Sequence, residues 1–105
     1  MTTDLLTEEA FARNLNTTFR VPLEDGRKVE LELVEVDGYK DRPGEQQGME
    51  RFSLFFEGPP DVFLQQGVYA FDHEQLGEVT LFLVPVEHTE GGFRYESVFN
   101  YFKEK

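Results

Sequence analysis

A chain of 105 residues and 12.2 kDa has room for one domain, with about two-thirds of its unfolded surface able to be buried, and not for two. Ten Lys and Arg against 21 Asp and Glu leave a net charge of −11, which sets the chain against polyanionic partners such as nucleic acid and anionic membrane surfaces. Cysteine is missing, which removes disulfide scaffolds, thiolate metal sites and thiol catalysis. Eleven Phe and four Tyr within a 39% hydrophobic composition mark a globular chain with one real core.

The first residues, Met1 to Glu9, are acidic and lack the basic start and apolar run of a secretory signal. The longest strongly apolar run, Leu81 to Val86, is too short to cross a bilayer as a helix. The expected location is therefore cytoplasmic, or outside the cell by a route that uses no signal.

A single domain is expected over residues 1–105, with a helix at about 7–15 and a β-barrel at about 17–102. Thr7 can cap the helix, Glu8 and Glu9 suit its positive end, and Leu6, Ala10, Phe11 and Leu15 form an apolar stripe. Period-2 runs broken by Gly, Pro, Asp and Asn clusters then predict six antiparallel strands in a meander.

The first hairpin can be registered from the letters. A three-residue loop Glu24-Asp25-Gly26, with Gly26 left-handed, sets Val21 opposite Val29, Phe19 opposite Leu31 and Arg20 opposite Glu30. A slip of one would set apolar against charged side chains along the whole ladder. At Leu33-Val34 the apolar set changes parity, which predicts a β-bulge. Residues from Asp37 to Gly48, with three Gly and one Pro, read as a long loop. The third strand is Glu50 to Glu57, with Phe52, Leu54 and Phe56 on one face and Phe55 on the other, stopped by Pro59 and Pro60.

For the fourth strand, Gly67 to His73, and the fifth, Glu78 to Val86, a loop Gln75-Leu76-Gly77 would pair His73 with Val79, Phe71 with Leu81 and Tyr69 with Leu83. The reverse face then carries Val68, Ala70, Phe82 and Val84, apolar where a solvated sheet should be polar. A sixth strand runs from Phe93 to about Tyr101 after the Glu90-Gly91-Gly92 turn. Six short strands with a bulge predict a mainly β fold, a small closed barrel or split barrel with one short N-terminal helix.

Four strings, residues 29–36 (VELELVEV), 51–59 (RFSLFFEGP), 66–86 (QGVYAFDHEQLGEVTLFLVPV) and 95–100 (YESVFN), resemble a family of small bacterial domains of unknown function. The similarity spans roughly residues 15–100. Its hallmark is a Gly-x-Tyr strand, a His-x-x-Leu-Gly turn and a Leu-Phe-Leu-Val-Pro-Val strand. The resemblance implies a compact β fold, a bacterial source and an association with phage-tail-collar-like proteins. It implies no catalytic residue.

The residues that could carry chemistry have plainer explanations. With His73 beside Val79, His88 lies nine residues further along the fifth strand, about 30 Å away and too far to share a site; His73 could cluster with Asp72 and Glu74 at the barrel rim, but a turn-flanking His bonded to backbone accounts for it. Asp37, Asp41 and Glu45 recur every four residues, yet the calcium-loop pattern is missing and Lys40 and Arg42 sit among them. Glu30 and Glu32 belong to an exposed sheet face. Ser53 and Ser97, the two serines, have no His nearby in sequence, and no nucleophile-elbow, phosphate-loop or dinucleotide motif occurs. No cofactor, metal or catalytic residue is expected.

What remains is the outward apolar set Val68, Ala70, Phe82 and Val84 with Phe55. Either the stripe of the N-terminal helix or a second copy of the chain would cover it, and the helix is the expected cover. The functional expectation is a non-catalytic interaction or accessory module, with a protein partner or itself. A barrel holding a small apolar ligand among its aromatic rings is the alternative, and an enzyme with an unrecognised site the third.

Overall fold

The computed structural model describes residues 8–38 and 49–102. One short helix, α1 (Glu8–Ala12), precedes six strands: β1 (Thr18–Pro22), β2 (Lys28–Gly38), β3 (Met49–Gly58), β4 (Gly67–His73), β5 (Gly77–Thr89) and β6 (Gly92–Phe102). All pairs are antiparallel, and the strands close into a barrel in the order β1-β2-β3-β6-β5-β4. The expected mainly β barrel with one helix is thus observed. Its meander, however, is two three-stranded meanders: β3 pairs with β6, and β4 returns to β1 through Arg20↔Asp72. The break falls at Pro59-Pro60, where two residues without an N–H end the ladder. The connection then crosses the end of the barrel, burying Leu64, whose N–H donates to the Tyr95 hydroxyl oxygen at 3.1 Å.

The first hairpin has the register its letters dictate. Val21 pairs with Val29, Phe19 with Leu31 and Arg20 with Glu30, and Gly26 is left-handed at φ 92°. The bulge also falls where the parity changes, with Val34 unpaired between Leu33↔Phe56 and Glu35↔Phe55. β2 continues to Gly38, which pairs with Phe52, so Asp37 and Gly38 belong to a strand and not to the loop.

The second hairpin is displaced by two residues from the expected register. His73 pairs with Gly77, Phe71 with Val79 and Tyr69 with Leu81. Glu74, Gln75 and Leu76 make the turn and Gly77 takes the left-handed position at φ 76°. The His73 ring decides this, because its Nδ1 accepts N–H bonds from Gln75 at 3.0 Å and Leu76 at 3.1 Å. A shift of two preserves the face of every side chain. β5 has two neighbours in succession: residues 77–83 pair with β4, and residues from Val84 to Thr89 pair with β6 across a bulge between Pro85 and Glu87.

The helix differs most from expectation. It stops at Ala12, and the chain tightens: the Asn14 N–H donates to Phe11 O at 2.9 Å, and the Asn14 side chain Nδ2 donates to Ala10 O at 2.8 Å. Asn16, at φ 67°, then turns the chain into β1. Leu15 is exposed, and Leu6 and Thr7 lie outside the described residues. Phe11, fully buried, inserts into the barrel, its ring 5.8 Å from Phe99, 5.9 Å from Phe52 and 6.5 Å from Phe19. The helix is therefore a plug for the interior and not a lid for the outer face.

Further rings continue the plug inward. Phe19 meets Phe56 edge-on at 5.3 Å, Phe56 lies 5.2 Å from Phe71, and Phe52 stacks on Phe99 at 5.0 Å. Leu31, Leu33, Leu54, Leu83 and Tyr95 fill the space between them.

Candidate interaction surface

The outer face of β4, β5 and β6 carries the apolar set. Val68 is 66% exposed and lies opposite Phe82, which is 46% exposed. Ala70 pairs with Thr80, and both Ala70 and Val84 are half-buried. Two residues beyond Glu96, which pairs with Val84, the next outward position on β6 is Val98, 51% exposed. Val68 and Phe82 thus form an exposed apolar pair across β4 and β5, with Val98 exposed on the outer side of β6, all uncovered among the described residues. Val98 was readable from parity: Tyr95, Ser97 and Phe99 face inward, so Val98 must face out.

Phe55 stands apart from this set. Glu96 lies between it and Val84 in the register, and the Arg94 guanidinium sits 4.8 Å over its ring while bonding Glu35 at 2.6 Å and Glu57 at 3.3 Å. Glu96 in turn accepts a hydrogen bond from the Ser53 hydroxyl at 2.7 Å. The apolar face of Phe55 is therefore already used by a cation within the chain.

Beside the set, β1 and β4 part after Arg20↔Asp72 and leave a groove of about 550 Å³ lined by Pro22, Leu23, Glu24, Asp25, Val68, Tyr69 and Ala70. Its charged residues are acidic. The Arg27 N–H and guanidinium lower the pKa of the Asp25 carboxyl below its ordinary value. Asp72 and Glu78, paired across β4 and β5 and exposed, add two carboxylates at the hairpin end of the same face.

A second groove, of about 690 Å³, runs along β2 where β3 leaves it, between residues 28–32 and the segment Glu57 to Pro59, with Asp61 and Val62. No sequence signal had marked it, because it arises from where one strand stops beside another.

His73 lies inside the β4–β5 turn, 6% exposed, its ring 4.2 Å from that of Phe19. Besides the two N–H bonds to Nδ1, its Nε2 is 2.8 Å from Thr17 Oγ1, and the Thr17 hydroxyl donates to Asn14 O at 2.6 Å. Since Nδ1 accepts, the proton sits on Nε2. Burial pushes the imidazole pKa down, Glu74 opposes this and Arg20 adds to it. This is a backbone-bonded turn histidine; Asp72 points to the opposite face. His88, at the far end of β5, stacks on Phe93 at 4.3 Å.

Glu30 faces Arg20 across the hairpin at 3.6 Å. Asp37 is exposed at the end of β2, while Asp41 and Glu45 lie outside the described residues. Among the described residues no three His, Asp or Glu side chains gather where a metal could be held, and no helix is long and apolar enough to cross a membrane. Ser97 Oγ is buried on the inner face of β6 and has no hydrogen-bond partner among the described residues.

Comparison with known proteins agrees with the family resemblance and adds no activity. No curated protein and no solved structure matches the chain. Residues 6–99 match the family described as Domain of unknown function (DUF6916), which takes in α1, all but the last residues of the barrel, and both grooves. The chain belongs to that family.

Proposed function

We propose that this protein is a non-catalytic interaction module whose docking face is the exposed set Val68, Phe82 and Val98 with the adjoining groove between β1 and β4. The observation that carries the reading is the exposure of three large apolar side chains on the outer side of β4, β5 and β6, two of them, Val68 and Phe82, directly paired. Ala70 and Val84 extend the face. Its carboxylates, Glu24, Asp25, Asp72 and Glu78, fit a partner that is apolar at its centre and basic at its margin. A second copy of a chain with net charge −11 brings the wrong sign to that margin. The resemblance to domains associated with phage-tail-collar-like proteins makes a tail-assembly protein the first partner to try. The packed rings of the interior favour this reading over an apolar-ligand barrel.

Native mass spectrometry of gently purified protein, followed by the same measurement on Phe82→Glu and Val68→Glu, tests it. The expected result is a partner of defined mass retained by the parent chain and lost from both variants, with melting temperatures unchanged. A retained small molecule of a few hundred daltons would favour the ligand-binding barrel instead, and retention of the partner by both variants would end the proposal.

A further inference from the structure

β2 outruns its neighbour. It begins at Lys28, but its ladder with β3 begins only at Glu32↔Glu57. Residues 28–31 therefore have β1 on one side and, among the described residues, no strand on the other. Two backbone bonds fix which groups face the empty side. The Leu23 N–H donates to Arg27 O at 2.7 Å at one end of the hairpin, and the Leu33 N–H donates to Thr17 O at 3.1 Å at the other. Both involve odd-numbered residues of the second chain segment, and in an antiparallel ladder the direction alternates with each residue. Val29 and Leu31 thus point their N–H and C=O groups at β1. Lys28 and Glu30 point theirs into the groove of about 690 Å³.

We propose that this edge receives an extended, basic segment of a partner protein as an added strand, continuing the line that β3 abandons at Pro59. An edge of this kind selects a strand, because only an extended backbone presents donors and acceptors at the same spacing. Side-chain chemistry comes from the walls. Glu30, Glu32, Glu57 and Asp61 line the groove against Arg27 and Lys28. Arg27 is held by Asp25 at 2.8 Å, whereas Glu32 and Asp61 have no ion pair among the described residues. Residues of the guest that face outward are basic beside Glu30 and Glu32; those that face inward are small and apolar over Val29, Leu31 and Val62. A second copy is a poor guest: laid antiparallel along residues 28–30, its own β3 would meet the first copy's hairpin tip, and both copies carry the same net charge.

The test uses an acetylated, amidated peptide, lysine-valine-lysine-valine-threonine-valine, titrated into the isotope-labelled full chain at low salt and followed by amide shifts and hydrogen exchange. Expected are shifts and slowed exchange at the Lys28 and Glu30 amides with a dissociation constant at or below about 1 mM, weakened roughly fivefold by Glu32→Lys. Loss of binding when alternate peptide nitrogens are methylated is the signature of a backbone ladder, since methylation removes donors and spares charge. Binding that survives methylation, shifts at Val68 and Phe82 in place of β2, or no response at about 5 mM peptide would each overturn the proposal. Phe82→Glu leaves the titration unchanged, so this result and that for the outer face are independent.

Discussion

The Nε2 of His73 and the Oγ1 of Thr17 are 2.8 Å apart, and this contact ties the β4–β5 turn to the segment that leaves the helical plug. The link works only with a neutral imidazole, because Nδ1 must accept from Gln75 and Leu76 while Nε2 donates.

Stability should therefore fall on mild acidification. The folded-state pKa of His73 is depressed by burial from its ordinary 6.5, so between the two values the unfolded chain binds the proton that the folded chain refuses. The contribution is whole above about pH 6.5 and declines as pH falls toward the folded value. Urea midpoints of the parent chain should drop between neutral pH and pH 5 by more than those of His73→Gln, and parallel curves would refute the assignment. Thr17→Val, which leaves Nε2–H without an acceptor, should cost about 1–3 kcal/mol at neutral pH.

Removing the plug should be costly. Phe11 is fully buried among Phe19, Phe52 and Phe99, and Phe11→Ala should lower unfolding free energy by about 3–5 kcal/mol in a denaturant titration. Leu15→Ala, at a position 38% exposed, should change it by less than about 1 kcal/mol.

The buried hydroxyl of Ser97 makes an opposite prediction. Without a partner for its Oγ among the described residues, it carries a desolvation cost that a methyl group would not, so Ser97→Ala should leave stability unchanged or raise it by about 1 kcal/mol. A clear loss in thermal unfolding would mean that the hydroxyl is bonded in solution.

Tyr95→Phe isolates the tie between the crossing loop and the barrel. The ring stays and the acceptor for Leu64 N–H goes, which should cost about 1–2 kcal/mol. Faster exchange should appear first at the Leu64 amide.

The first hairpin was legible because two independent constraints, the parity of its apolar residues and the place of Gly26, agree on one register. At the second hairpin they do not suffice. Glu74-Gln75-Leu76-Gly77 accommodates turns two residues apart in register with every face unchanged, and the choice is made by His73, whose ring is held by Thr17 from another part of the chain. The outward set was half legible: parity exposed Val68, Ala70, Phe82 and Val84, yet nothing in the letters says that Phe11 points into the barrel and leaves that set open. Phe55 has the right parity, and only the register that brings Arg94 beside it reveals its cover. The groove at β2 had no signal of its own, since it depends on where β3 stops.

The position of Phe11 constrains how the chain can be made. Its pocket is built by Phe19 on β1, Phe52 on β3 and Phe99 near the end of β6, so α1 has no complete seat until β6 has been made. Until then the ring of Phe11 must stay without its pocket in a crowded solution. Because closure joins Phe11 to Phe99, assembly is set by long-range search and should be slow for so small a domain.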